Sequence, residues 1–175
     1  CDINEKPLNK ARQILADHSL DDRVDCVLAS GLDGLAPGSV DTVVIAGMGG
    51  DLTARILDAA PWVRNEQYNF VFVPATKHSV LRKGLAQRGF ALKSETLCRA
   101  AGRLYTVINA QYTGRAAEPT GLACLCGKTQ GQPEAQAYRE QQLVKLKKYR
   151  LGLAPGPQAD GVDALIQEME DGLWP

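Results

Sequence analysis

Val40-Asp41-Thr42-Val43-Val44-Ile45-Ala46-Gly47-Met48-Gly49-Gly50-Asp51-Leu52-Thr53-Ala54-Arg55-Ile56-Leu57 is the stretch that decides the fold. Val43, Val44 and Ile45 make an unbroken β-branched run, the pattern of a parallel strand covered on both faces. Gly47-Met48-Gly49-Gly50 interrupts it. Asp51 then suits an N-cap or first-turn position, where its charge favours the helix dipole. Leu52, Ile56 and Leu57 carry a helix on to Pro61. The segment therefore reads as a buried strand, a Gly-rich turn and a helix.

The flanks extend this pattern in both directions. Ahead of it, Pro7 suits the first turn of a helix running to about Asp17, with Leu8, Ala11, Ile14 and Leu15 on one face. Asp25 to Ala29 reads as a short apolar strand, followed by turn residues at Ser30–Gly34 and Pro37-Gly38. Downstream, Phe70–Val73 is a buried strand stopped by Pro74, and His78–Arg88 is a helix closed by Gly89. Phe90–Leu97 and Leu104–Tyr112 form a hairpin-like pair across the turn Ala101-Gly102-Arg103. Alternating strands and helices imply an α/β fold, a Rossmann-like doubly wound and mostly parallel sheet, and the final pair implies an antiparallel edge strand.

The composition changes after Tyr112, which divides the chain into residues 1–113 and 114–175. Thr113 to Pro133 reads as a linker with a short strand at Leu122–Leu125. Glu134 to Leu151 is a polar helix with Leu143, Leu146 and Tyr149 along one side. Val162, Leu165, Ile166 and Met169 mark a second amphipathic helix, so a C-terminal helical hairpin is expected.

Lys+Arg and Asp+Glu are equal at 20 each, so bulk charge neither suggests nor excludes a nucleic-acid partner. No apolar run is long enough to span a membrane, and no signal peptide is visible. The five cysteines include Cys124-Leu125-Cys126, two thiols on one side of the expected strand, but no second Cys/His pair stands at a familiar metal-binding spacing. The expectation is a protein of the reducing cytoplasm without metal, membrane or disulfides.

Three places suit ligand chemistry. Asp2, ahead of the first helix, has the position of an acid that accepts hydrogen bonds from ribose hydroxyls of a nucleoside cofactor, with Ile3 beside it for the adenine face. Ser30-Gly31 follows the next expected strand and can meet the edge of an adenine. Ala46-Gly47-Met48-Gly49-Gly50 lets backbone groups approach a ligand closely. A dinucleotide loop needs G-x-G-x-x-G and an acid at the next strand tip; this spacing is G-x-G-G and the next strand ends at Pro74. An active-site loop and a purely structural tight turn remain as the readings.

Asp2-Ile3-Asn4-Glu5-Lys6-Pro7-Leu8, Gly31-Leu32, Val44–Gly50 with Ile56-Leu57, Pro74 with His78 and Leu81-Arg82, and Gly102-Arg103-Leu104-Tyr105 fall in order and at consistent intervals. In these motifs the chain resembles the bacterial tRNA (adenine-N1)-methyltransferase family that modifies adenine 22 in the D-arm. The resemblance covers roughly residues 1 to 112, and the tail resembles the family's coiled-coil-like domain more loosely. It implies a class I enzyme using S-adenosyl-L-methionine, with tRNA as partner. Ser30 stands where the family usually has Asp, and Val73-Pro74 where it has Gln-Pro. Against the family pattern the chain is expected to be truncated at its N-terminus, lacking the first strand, first helix and most of the second strand, and so to bind cofactor weakly or not at all.

The resemblance assigns Asp2, Ile3, Ser30, Gly31, Ala46 and Gly47 to the cofactor. Catalysis falls to Gly47, Met48, Gly49 and Gly50. Adenine N1 already carries a lone pair, so alignment outweighs proton transfer. Pro74, His78 and Arg82 would face the RNA, and Tyr105 is a candidate wall for an extruded base. Lys145, Lys147, Lys148 and Arg150 cluster around Tyr149 and would neutralise phosphates. Arg82, Lys83 and Arg88 would form a weaker basic surface. The expected state is a monomer. The alternatives are a methyltransferase-like enzyme for another RNA base or a small molecule, and a non-catalytic RNA-binding chain of this fold.

Overall fold

Four strands and six α-helices follow one another along a computed structural model describing residues 1–175. Helix α1 (Glu5–Asp17) precedes strand β1 (Thr42–Ala46), helix α2 (Gly50–Ala59), a 3-10 turn at Pro61–Val63 and strand β2 (Asn69–Val73). Helix α3 (His78–Gln87), strands β3 (Phe90–Ala100) and β4 (Arg103–Tyr112), then helices α4 (Gly121–Cys126), α5 (Ala135–Leu151) and α6 (Pro157–Glu170) complete the chain. The sheet order is β1-β2-β4-β3. β1 and β2 pair in parallel, Val43 opposite Phe70 and Ile45 opposite Phe72. The antiparallel pair forms the far edge as expected, and the reversed strand β4 is its inner member. Ala101 and Gly102 take φ of 47° and 74°, the conformation that a two-residue hairpin turn needs.

The core lies on one face of the sheet. Val43, Ile45, Phe70, Phe72, Ile108 and Ala110 meet Leu57, Leu81 and Leu85 from α2 and α3. Alternation sends Val44 the other way, and it is 63% exposed. The β-branched run at 43–45 is thus covered on one face only.

Two expected strands do not form. Asp25–Ala29 is reduced to a single parallel bridge between Asp2 and Leu28, held by Asp2 N–H to the Val27 carbonyl at 3.2 Å and Ala29 N–H to the Asp2 carbonyl at 3.0 Å. Only Asp2 stands opposite it before α1 turns away, so no ladder extends. Leu122–Leu125 is helical, within α4. Its alternating Leu122, Cys124 and Cys126 satisfied a strand period, but the Thr120 side chain accepts the Ala123 N–H at 3.1 Å and caps a helix instead. The stretch expected to be a linker is therefore packed structure. The helical hairpin is present: Leu143, Leu146, Leu165 and Trp174 close over Leu122, Cys126 and Met169. Arg150 on α5 reaches Asp163 on α6 at 2.8 Å.

Arg82 of α3 ties these parts together. Its Nε donates to Glu95 of β3 at 2.8 Å, and both side chains are at most 1% exposed. Nη1 donates to the Cys124 and Leu125 carbonyls at the end of α4, and Nη2 to the Tyr138 hydroxyl of α5. Removing one member of a buried ion pair leaves the other charge stranded, at a cost of about 3–5 kcal/mol. Arg82→Ala should lower unfolding stability by that amount in denaturant titration. Pairing it with Glu95→Leu should recover part of the loss; additive losses would contradict the coupling.

Candidate active site

The carboxyl ends of β1 and β2 lead into two loops that are zipped to each other. Gly47 N–H donates to the Val73 carbonyl at 2.9 Å, Ala75 N–H to the Met48 carbonyl at 2.9 Å, and Gly50 N–H to the Thr76 carbonyl at 3.0 Å. Gly49 and Thr76 form a parallel bridge. A Cβ at Gly50 would come 2.3 Å from the Lys77 carbonyl oxygen and 2.9 Å from Leu81, so glycine there permits the close approach of α2 to α3. Gly47 differs: its φ is +79°, and a Cβ would meet nothing within 4 Å. Its role is conformational, and the space beside it is open.

The expected loop, Gly47, Met48, Gly49 and Gly50, is thus present, but its amides divide into two kinds. Those of Gly47 and Gly50 are spent on the neighbouring loop, while those of Met48 and Gly49 have no acceptor within the chain. Asp51 sits in the first turn of α2 and pairs with Lys77 Nζ at 2.9 Å, which holds its carboxyl below the ordinary value. Lys77 itself takes φ of +56° at the entry to α3.

Beside this loop, Cys1, Gly31, Leu35, Val44, Ala46 and Met48 line a cleft of about 210 Å³. Gly31, at φ +57°, packs on Ile56 of α2, where a Cβ would stand 3.0 Å from that side chain. Asp2 is half-buried next to Cys1, and its Oδ1 accepts the Asn4 N–H at 2.8 Å, leaving Oδ2 without a protein partner. Ile3 is 67% exposed and Ser30 is exposed, and neither lines the cleft. Apolar walls, a glycine without Cβ bulk and the free Asp2 oxygen next to the lining residue Cys1 fit the nucleoside part of S-adenosyl-L-methionine. A larger cavity of about 940 Å³ lies at the amino end of β3, between Ala86, Phe90, Tyr112, Arg115 and Lys128. In wound sheets ligands gather at the carboxyl ends of parallel strands, the opposite end from that cavity.

Several expected RNA contacts are corrected. Arg82 cannot reach a phosphate, because it is 1% exposed and its donors are taken by Glu95, two carbonyls and Tyr138. The basic surface expected around it fails for a related reason: Lys83 pairs with Glu118 and Arg88 with Asp58, both at 2.6 Å. His78 is half-buried and offers no positive charge to a phosphate. Its Nδ1 lies 3.1 Å from the Tyr138 hydroxyl, and burial, reinforced by the charges of Arg82 and Lys145, lowers its pKa to about 4. Of the α5 cluster, Lys147 is engaged by Glu170 at 2.5 Å and Arg150 by Asp163, leaving Lys145 and Lys148 as exposed cations without an ion pair.

Pro74 is buried at the loop junction. Tyr105 is half-buried at the same end of the sheet, on the face opposite Thr106. Sequence reading missed Tyr138, 2% exposed, whose hydroxyl serves both Arg82 and His78. A tyrosine within a polar helix gives no local signal of such a role.

A family model described as a methyltransferase domain matches residues 1–108. The chain is 27% identical over 148 residues to the tRNA (adenine(22)-N(1))-methyltransferase of Bacillus subtilis (strain 168), covering 85% of this chain. It spans 61% of that protein's length. Its structure is similar to that of the B. subtilis M1A22 tRNA methyltransferase TrmK, with TM-score 0.79 and 19% identity over 96% of this chain and 78% of that one. It is also similar to M. capricolum TrmK in complex with S-adenosyl-homocysteine, with TM-score 0.74 and 21% identity over 98% and 77%. A third likeness is to a protein of the NADB-Rossmann superfamily from Streptococcus agalactiae, TM-score 0.80 at 21% identity over 98% and 77%. These likenesses establish the Rossmann-like fold.

His78 faces Tyr138, Arg82, Lys145, Thr106 and the Pro74 carbonyl. Its folded pKa of about 4 lies below the ordinary 6.5, so between these values the unfolded chain binds more protons. Stability supplied by the neutral ring is complete above about pH 6.5 and declines as pH falls toward about 4. His78→Gln removes this component. Urea unfolding should show wild type losing stability relative to the variant across that window; parallel pH curves would refute it.

Proposed function

Because the chain belongs to the methyltransferase-domain family, we propose that it transfers a methyl group from S-adenosyl-L-methionine to N1 of an adenine in tRNA, at position 22 of the D-arm. The observation that carries this reading is the zipped loop pair at the carboxyl ends of β1 and β2, which holds Gly47–Gly50 in a fixed open shape. Asp2, Gly31 and Ala46 would hold the nucleoside end of the cofactor, with Ile3, Ser30 and Gly47 as their chain neighbours outside the cleft. When bound, S-adenosyl-L-methionine supplies an electrophilic methyl group. Adenine N1 brings its own lone pair, so the chain has chiefly to align the two. The loop suits that role, since it contains no titratable side chain and offers the Met48 and Gly49 N–H groups and the Met48 side chain to a base edge. Pro74 and Tyr105 lie at the same end of the sheet as candidate walls for the base. Lys145 and Lys148 give tRNA phosphates an exposed contact on α5.

The test uses the intact protein, unmodified tRNA and S-adenosyl-L-methionine, with the product digested and mapped by mass spectrometry. A methyl group on N1 of adenine 22 is the expected result; one at another base overturns the substrate assignment. Gly47→Ala sharpens it. The added methyl meets no protein atom, and a left-handed alanine costs only about 1–2 kcal/mol. The variant should fold yet lose at least about tenfold in kcat/KM, because its Cβ enters the space beside the base. Unchanged kinetics would remove Gly47 from the site.

A further inference from the structure

A line of buried polar contacts runs from the sheet through the C-terminal helices to the loop opposite Gly47–Gly50. Glu95 accepts from Arg82, and Arg82 Nη2 donates to the Tyr138 hydroxyl at 3.0 Å. Arginine can only donate, so the Tyr138 oxygen is the acceptor there and its single proton is directed elsewhere. The His78 Nδ1 stands 3.1 Å away, with the two rings 15° from parallel. Thr106 Oγ1 closes the group at 3.5 Å from the same nitrogen. With Nδ1 accepting, the ring's own proton is left on Nε2, and His78 opens α3 directly after Lys77, the last residue of the loop that starts at Pro74. Pro74 begins the loop whose Ala75 N–H and Thr76 carbonyl are bonded to Met48 and Gly50.

We infer that Tyr138 is a positioning residue: through His78 it fixes the Pro74–Lys77 loop, and through that loop the face that Met48 and Gly49 present. This rests on the proposed methyl transfer for its functional consequence, but not for its structural one. Tyr138 touches no reacting atom. It acts by choosing the His78 tautomer, and it lies outside the methyltransferase-domain match, which ends at residue 108. The helices after residue 113 therefore contribute to the geometry of the glycine loop as well as to RNA contact.

The test is Tyr138→Phe in the intact protein, with three readouts. Nitrogen chemical shifts of His78 should report a single Nε2–H tautomer in wild type and a mixture in the variant. Hydrogen exchange of the Ala75 and Gly50 amides should accelerate at least about tenfold, beyond any change in amides of the β3–β4 hairpin. In methyl transfer, kcat should fall about tenfold or more while KM for tRNA stays within about twofold. An unchanged tautomer, or exchange that rises equally everywhere, overturns the inference. If wild type transfers no methyl group, the proposed function fails, and the tautomer and exchange results still decide the positioning role. His78→Phe leaves the Arg82–Tyr138 bond in place and reads the same amides should Tyr138→Phe fail to fold. The two substitutions together should be no worse than His78→Phe alone; additive effects would show that Tyr138 does not act through His78.

Discussion

A charge pair with no access to water organises this molecule. Arg82 and Glu95 come from α3 and β3, and neither retains meaningful exposure. Such a pair is tolerated only when the remaining donors and lone pairs are also satisfied. Here the missing partners come from the tail. The Lys128 N–H reaches the second Glu95 oxygen at 2.8 Å, and α4 turns two of its C-terminal carbonyls toward Arg82. Those carbonyls have no acceptor role left within their own helix, so one guanidinium satisfies both a buried acid and a helix end. Gly127 makes the approach possible: a Cβ there would stand 1.9 Å from Glu95 Oε2 and 2.5 Å from Arg82 Nε. The residues after 113 thus complete the core of the sheet domain.

That arrangement also marks where sequence reading stopped. Strands β1, β2 and the final hairpin, and the helices α2, α3, α5 and α6, were legible because each has a local period and a local stop. Arg82 was not. A lone arginine beside Leu81 in a helix reads as a surface cation, since arginines are seldom fully buried. Its partners lie 13, 42, 43 and 56 residues away. No periodicity connects them. Leu122–Leu125 failed for the opposite reason: a convincing alternation existed, but over so few residues that one capping threonine outweighed it.

The glycine loop was legible as a place and not as a mechanism. Three glycines in four positions say that the backbone does something side chains would obstruct, without saying which glycine does what. The folded chain separates them. Gly50 makes room for the Lys77 carbonyl and Leu81, which is helix packing; Gly47 sustains a left-handed turn beside empty space. A structural turn and an active-site loop were therefore not alternatives. The two readings are compatible, because the hydrogen bonds that zip the loop to residues 73–76 leave the Met48 and Gly49 amides unspent.

Helix α5 carries two demands that have to be compatible. Its exposed lysines suit a polyanion, while Tyr138, two turns before Lys145 on the same helix, lies against the ring of His78. A protonated imidazole has no acceptor nitrogen, so protonation would turn Nδ1 into a donor and reverse its hydrogen bond with the Tyr138 oxygen. Burial is the main force against protonation, and the positive charges of Arg82 and Lys145 act in the same direction. A phosphate bound at Lys145 would cancel part of that repulsion and raise the affinity of His78 for a proton. The starting point of about 4 decides the outcome, because one screened surface charge acts far more weakly than the burial that set it. The ring stays neutral at physiological pH with or without the anion, so the same helix can face a polyanion and hold the loop.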